Sequence, residues 1–335
     1  VKVLVTGSTG FIGQHVCRVL LARGHAVRAL ARNPAAAAPL SAAGAEVVKG
    51  DVCEPATLPA AVEGCEAVLH LAGVVKALGR PAFFAVNAGG TRHLADAAIA
   101  AGATRFVLVS SLAAAGPSTA ARPRTADDPP APVSAYGESK LAAEAVLRDL
   151  AFRLEATVVR PPIVYGPGDR EVLPPLLAMA RAGLIVKAGL AEKRYSVVHV
   201  EDLAQGIALA LEHGRRLGPA GGEGVYYLDD GATYTWEEIG RAALGPLGVS
   251  GRVLALPEAV SWVAAAGATA FAQLRRKAAV FSLDKVREIR QPSWTCDASR
   301  ARSELGYAPR FLLGEGMRQT LVAEGHLAGG PAPSP

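Results

Sequence analysis

Val1-Lys2-Val3-Leu4-Val5-Thr6-Gly7-Ser8-Thr9-Gly10-Phe11-Ile12-Gly13 opens the chain, and the reading of this stretch decides the fold. Val1 to Val5 is an apolar run of strand length, and Gln14 to Ala22 reads as a helix. Between them lies a Gly-x-x-Gly-x-x-Gly turn. Glycines there let the backbone approach a phosphate closely, Gly13 permits tight packing of helix on strand, and the unpaired N–H groups of the helix start favour an anion. The combination predicts a cradle for a dinucleotide pyrophosphate. Its spacing, which is not Gly-x-Gly-x-x-Gly, points to a subset of such folds.

Working outward, further apolar runs alternate with helical stretches: Ala26-Leu30, Glu46-Lys49, Ala67-Leu71, Phe106-Ser110 and Ala156-Val159. Their near-continuous Val, Leu and Ala suit parallel strands buried on both faces, covered by helices expected at Asn87-Ala101 and Ala135-Leu150. The predicted fold class is α/β, a doubly wound parallel sheet with a smaller, mainly helical C-terminal lobe. After Val164 the chain leaves the sheet through Pro167, Pro174 and Pro175, and it returns as strand at Tyr195-Val200 and Val225-Leu228. Residues 1–164 with 197–228 are therefore expected to form the dinucleotide-binding domain, and 165–196 with 229–328 the substrate lobe. The Pro-rich tail 329–335 is expected to be disordered.

A chain of 335 residues accommodates this plan without a third unit. Half of its residues are hydrophobic and only 5% aromatic, so the interior is expected to be Ala, Val and Leu. The net charge of +5 comes without basic runs or interleaved aromatics, which argues against nucleic acid. Cys17, Cys53, Cys65 and Cys296 show neither paired nor metal-ligand spacing, so no metal is expected and the protein reads as cytoplasmic. The uncharged run 259–274 is too short to span a bilayer and is read as a buried or lid-forming helix, with weak membrane contact as the other reading. His199 and Asp202 are read as structural, with Asp202 capping a helix at Leu203-Leu211. Trp236-Glu237-Glu238 is read as a first helical turn after Thr235.

Tyr136-Gly137-Glu138-Ser139-Lys140 places a phenol and an amine on one helix face, a geometry suited to proton transfer because the ammonium favours the phenolate. The strand Phe106-Val107-Leu108-Val109-Ser110 delivers Ser110 and Ser111 to the carboxyl edge of the sheet, where open α/β folds bind ligands. Taken with these, Asp51-Val52, His70-Leu71-Ala72-Gly73, Val86-Asn87, Arg160-Pro161-Pro162-x-Val164-Tyr165-Gly166-Pro167-Gly168, Val198-His199-Val200-x-Asp202-Leu203-Ala204 and Leu305-Gly306-Tyr307 follow in order along nearly the whole chain. The chain resembles the extended short-chain dehydrogenases/reductases, of the epimerase/dehydratase superfamily. The strand-two arginine, Arg32, and the His70-Leu71-Ala72-Gly73-Val74-Val75-Lys76-Ala77 loop opening resemble most the branch of dihydroflavonol reductases and 3β-hydroxysteroid dehydrogenases.

The resemblance implies Tyr136 as acid/base, Lys140 as its pKa partner and ribose ligand, and Ser111, in preference to Ser110, as the hydroxyl that orients the substrate oxygen. It implies cofactor contacts from Thr6, Gly7, Gly10, Phe11, Ile12, Gly13, Asp51, Val52, Leu71, Ala72, Gly73, Asn87, Tyr136, Lys140, Pro161 and Ile163. The second strand ends in Ala31-Arg32 where an NAD-preferring domain carries an acid, and a guanidinium suits a 2′-phosphate, so Arg32 is read as a sign of NADP(H), with NAD(H) as the other possibility. The expected chemistry is reversible hydride transfer between NADP(H) and a ketone or secondary alcohol, with a lipophilic substrate suggested by the apolar Leu256 to Leu274. The alternatives are a nucleotide-sugar epimerase or dehydratase, to which Arg160, Arg181 and Lys187 could offer diphosphate contacts, and a non-catalytic dinucleotide-binding regulator. Against a dehydratase stands Leu112-Ala113, where the family's dehydratases carry Asp-Glu after the hydroxyl residue. The small-molecule substrate is the expected partner, and a homodimer through the helices at Asn87-Ala101 and Ala135-Leu150 is implied.

Overall fold

A computed structural model describes residues 1–257 and 283–328. The run 259–274, with its membrane reading, and the tail 329–335 lie outside the described residues. The expected strands form as β1 (Lys2–Thr6), β2 (Ala26–Ala31), β3 (Glu46–Lys49), β4 (Ala67–His70), β5 (Arg105–Val109) and β6 (Glu155–Arg160). They are joined by a seventh strand, Val225–Tyr227, in the order β3-β2-β1-β4-β5-β6-(Val225–Tyr227), and every pairing is parallel.

The period of two along each strand splits the apolar side chains between two cores. Val3, Val5, Leu69 and Val107 face one way, against Val16 and Leu20 of the helix Phe11–Ala22 and Leu203 and Ile207 of the helix Val200–His213. Leu4, Val68, Phe106 and Leu108 face the other way, against Leu94, Ala98, Ala143 and Leu147 of the helices Gly90–Ala100 and Ala135–Asp149. Burial on both faces explains why these strands read as unbroken apolar runs. Strand order reverses between β1 and β4, and the crevice at their carboxyl ends is where such folds hold a ligand.

A third core lies outside the sheet. Leu173 and Leu176 of the helix Leu173–Ala182, Ile185, Ile239 and Leu244 of the helix Trp236–Leu244, and Met317 and Leu321 of the helix Leu313–Ala323 enclose it, with Tyr195, Tyr234 and Trp236 packed against them. Short strand pairs brace this region: Leu184–Ala188 with Arg252–Leu256, Ile163–Tyr165 with Val197–His199, and Arg194–Tyr195 between Tyr234–Thr235 and Ser293–Trp294. Thr235 caps the Trp236 helix in a reciprocal capping box with Glu238, as its sequence predicts.

One predicted boundary differs. The helix expected from Leu203 begins directly after the strand at Val200, and it is His199 Nδ1, not Asp202, that accepts the cap hydrogen bond, from Glu201 N at 3.4 Å. Strand passes into helix without a loop, which hid the junction. The Asp202 carboxylate instead accepts from the backbone N–H groups of Arg310 and Phe311 at 3.0 and 2.9 Å, tying down the C-terminal segment. Tyr307 anchors the same segment, donating from its hydroxyl to the Asp229 carbonyl. Among the described residues, no helix is long and apolar enough to cross a membrane.

Candidate active site

The Gly-rich turn is tight enough to exclude side chains. Gly7 takes φ +68° and Gly10 N donates to Gly7 O at 3.0 Å, while a Cβ on Gly13 would lie 2.1 Å from that same carbonyl oxygen. The helix that follows, Phe11–Ala22, has Gly10 at its cap with no side-chain hydrogen bond and no acid in its first turn. Its orphan N–H groups therefore keep their capacity for an anion, and the residues fit a dinucleotide pyrophosphate.

From this turn a cavity of about 1730 Å³ extends along the sheet edge into the lobe. Of the predicted contacts, Gly7, Gly10, Phe11, Ile12, Gly13, Leu71, Gly73, Ser111, Tyr136, Lys140, Pro161 and Ile163 line it. Thr6, Arg32, Asp51, Val52, Ala72 and Asn87 do not. Thr6 Oγ1 is engaged by His70 Nδ1 at 2.7 Å and accepts from Ala72 N at 3.2 Å, so it ties β1 to the turn after β4. Asn87, in a π-helical turn at Ala85–Gly89, bonds Val74 through both ends of its amide and donates to Ser139 Oγ. It thus fixes the loop after Gly73 against the helix Ala135–Asp149. Asp51 Oδ1 accepts from Cys53 N in a local turn, and Val52 packs in the second core.

The two serines at the end of β5 part company. Both line the cavity, but Ser110 Oγ is committed to Glu144 Oε1, donating at 2.5 Å, while Ser111 Oγ accepts from Ala113 N at 3.1 Å and hydrogen-bonds to Tyr136. Burial pushes the Tyr136 phenol up to about 12, the Ser111 bond pulls it down, and the charge of Glu288 raises it further. Lys140 Nζ donates to Val109 O at 2.8 Å, and burial lowers its pKa to about 8 against the opposing pull of Glu144. Gly73 presents no side chain to Lys140: a Cβ there would stand 3.5 Å from Nζ.

Tyr136, Lys140 and Glu144 share one helix face by their spacing of four. Glu144, fully buried, takes two hydrogen bonds from the Arg160 guanidinium, at 2.9 and 2.5 Å, which in turn donates to Tyr227 OH. Arg160 is thus a structural tie between helix and sheet, with no charge available for a diphosphate. Beneath the site His70, bonded to Thr6 and Thr91, is held neutral, its pKa lowered to about 3 by burial and then by Lys140.

The far wall of the cavity comes from residues that carry no motif: Phe83, Met179, Val186, Tyr195, Trp236 and Trp294. Phe83 lies against Tyr136, ring centroids 6.1 Å apart. Asp284 and Glu288 also reach the cavity, from the short helix Leu283–Ile289.

A doubly wound parallel sheet with a Gly-rich turn at its switch point, and Ser111, Tyr136 and Lys140 at its carboxyl edge, has the architecture of an extended short-chain dehydrogenase/reductase. The model of the NAD dependent epimerase/dehydratase family matches residues 3–222, and the chain belongs to that family. It is 36% identical to a ceramide reductase of Caulobacter vibrioides, over 95% of this chain and 93% of that protein. Among solved structures it is similar to DesIV, a dTDP-glucose 4,6-dehydratase from Streptomyces venezuelae with NAD bound (26% identity, TM-score 0.77, 97% of each chain covered). It is likewise similar to MoeE5 in complex with UDP-glucuronic acid and NAD (25% identity, TM-score 0.75, 97% of this chain and 99% of that one). The chain is a Rossmann-fold enzyme of the NAD-dependent oxidoreductase and epimerase class.

Two expectations change. The NADP(H) preference drawn from Ala31 and Arg32 is overturned by the solved relatives, which hold NAD. The structure supplies a physical reason: Arg32 is exposed, lies outside the cavity, and shares the neighbourhood of Cys53 with Asp51, the two charges acting on that thiol in opposite directions. A solvated guanidinium outside the cavity is a poor selector for a 2′-phosphate. As to substrate, the ligands of the solved relatives match the nucleotide-sugar alternative more directly than a lipophilic ketone.

Proposed function

We propose that this enzyme moves a hydride between NAD(H) and a secondary alcohol or ketone carbon, with Tyr136 transferring the matching proton. Bound at the glycine turn, the nicotinamide cofactor supplies the hydride chemistry. Ser111 would orient the substrate oxygen by its hydroxyl, and Lys140, which stands beside Gly73, would hold the cofactor ribose. The observation that carries this reading is the convergence of Ser111, Tyr136 and Lys140 in the same cavity that the glycine cradle lines. The cofactor contacts are assigned to Gly7, Gly10, Phe11, Ile12, Gly13, Leu71, Gly73, Pro161 and Ile163.

The substrate we favour is lipophilic. The cavity exceeds the range of roughly 300–1,000 Å³ usual for a single ligand, leaving room beside a dinucleotide for a bulky second molecule. The lobe wall offers it Met179, Val186, Tyr195, Trp236 and Trp294. Four cations along the cavity are already paired: Lys187 with Glu237, Arg194 with Glu192, Lys76 with Glu171 and Arg80 with Glu138. A sugar-linked diphosphate would have to compete with a carboxylate for each of these four, though, among the described residues, not for Arg241, which also lines the cavity. Similarity to a ceramide reductase over nearly the whole chain agrees. The second reading, a nucleotide-sugar epimerase or dehydratase, is favoured by the ligands of the solved relatives. Against its dehydratase form, Leu112 and Ala113 follow Ser111, so no carboxylate stands there.

A turnover screen decides between them: NADH oxidation with long-chain and polycyclic ketones on one side, conversion of UDP- and dTDP-hexoses on the other. Ketone reduction without hexose conversion is expected, and the reverse would replace the first reading by the second. We further propose residues 1–164 with 197–228 as the cofactor domain. A homodimer through the helices Gly90–Ala100 and Ala135–Asp149 is expected as well, and a monodisperse monomer in light scattering would overturn it.

A further inference from the structure

The helix that carries Tyr136 is capped twice, from two distant parts of the chain. Ser134 Oγ accepts from Gly137 N at 3.0 Å in the ordinary manner of a helix N-cap. That leaves the N–H groups of Ala135 and Tyr136 without a helical partner. Both are taken by the carboxylate of Asp284: Oδ1 accepts from Ala135 N at 2.7 Å and Oδ2 from Tyr136 N at 3.2 Å. One turn further along the same short helix, Glu288 Oε1 accepts from Ser134 Oγ at 2.7 Å. The buried Glu288 carboxylate therefore fixes the hydroxyl that makes the first cap.

The helix Leu283–Ile289 is at the same time a wall of the substrate cavity, through Asp284, Glu288 and Ile289. Its carbonyl groups hold two other parts of that wall. Trp294 Nε1 donates to Glu288 O at 2.8 Å, and Lys193 Nζ donates to Ile289 O at 2.6 Å. One element of the lobe thus touches the space that receives substrate and grips the backbone of Tyr136 itself.

We infer that Asp284 is a positioning residue for Tyr136, and that with Glu288 it registers the catalytic helix against the substrate lobe. The inference rests on the catalytic role proposed for Tyr136. The stability of a helix already capped by Ser134 gives no reason for a second cap from a chain position about 150 residues away. The phenol's placement over the cavity does give one, because a shift of about 1 Å in a reacting group can change a rate by roughly 10²-fold. A carboxylate at a helix N-terminus is also the charge the helix dipole favours, so both N–H groups are met by a strong acceptor.

The test compares Asp284→Ala, Asp284→Asn and Tyr136→Phe in the full chain, with turnover of the ketone found in the screen, NADH binding by fluorescence, and amide hydrogen exchange over 134–140. Asp284→Ala is expected to lower kcat roughly ten- to a hundredfold while leaving the NADH dissociation constant and the KM for NADH unchanged. It is also expected to speed exchange at the first turn of the helix. Asp284→Asn keeps an acceptor oxygen and should recover most of the rate, and it keeps the measurement available if the alanine variant folds poorly. Turnover of Asp284→Ala within about twofold of wild type, or a rate loss that Asn does not relieve and that NADH binding shares, would overturn the inference. If Tyr136→Phe retains full turnover, the functional reading fails and the inference with it. If Tyr136→Phe is inactive while Asp284→Ala is fully active, only the inference fails.

Discussion

The cofactor half and the substrate lobe build their cores by different means. In the first, seven parallel strands and the helices on both faces repeat one pattern, and the packing is carried by Val, Leu and Ala. In the second, no sheet exceeds three strands among the described residues, and Tyr195, Tyr234 and Trp236 pack where the other half uses aliphatic side chains. On the function proposed above, the regular half would hold the dinucleotide and the irregular half would supply the wall a particular substrate meets; irregular packing is where shape can vary without undoing a sheet.

The sharpest test of this division is Tyr136→Phe, which should cut turnover by about 10²–10⁴-fold while NADH still binds, since the phenol belongs to the chemistry and not to the cradle. Equal loss of NADH binding would blur the line between the two halves. Gly13→Ala addresses the cofactor half alone. The added methyl meets the Gly7 carbonyl at 2.1 Å, so a loss of about 1–3 kcal/mol of stability is expected in urea unfolding, together with weakened NADH binding.

His70 offers a test by pH. Burial, and secondarily Lys140, lower its folded pKa from 6.5 to about 3. Between those values the unfolded chain takes up a proton that the folded chain refuses, so stability is lost as pH falls through that window. At pH 5 the loss should be about 2 kcal/mol relative to neutral pH. His70→Gln should lack that part of the acid sensitivity, which urea midpoints at pH 7 and pH 5 would reveal. Smallest is the expected effect of Met179→Ala in the lobe wall: a KM for the ketone changed by up to about tenfold, with NADH affinity unmoved. A change in NADH affinity from that position would show that the lobe governs the cofactor as well.

How much of this was legible in the sequence follows the same division. Strands buried on both faces leave unbroken apolar runs, so β1, β2, β4, β5 and β6 were readable to within a residue; the exposed edge strand β3 was readable from its Val47-Val48 pair. Ser111, Tyr136 and Lys140 sit at positions the fold makes recognisable. The lobe offers no such period. Phe83, Met179, Trp236 and Trp294 converge on the cavity from four separated segments, and nothing local distinguishes them from core residues. Asp284 and Glu288 carry no local sequence signal of their role, because their partners lie far away in the chain. Arg160 carried a misleading signal, since a lone arginine before two prolines gives no hint of Glu144, with which it is buried. Arg32 misled for the opposite reason: its charge is real, but it stands outside the cavity in water.

The hydrogen bonds from Asp284 to the backbone of Ala135 and Tyr136 bear on how such enzymes could exchange specificities. A lobe transplanted from a relative would bring a new substrate wall, yet it would also replace the acceptor that holds the first turn of the host's catalytic helix. A chimera that ignores this seam would bind its new ligand beside a misaligned phenol. If the inference holds, recombination between the halves has to keep residues 284 and 288 matched to the helix they cap.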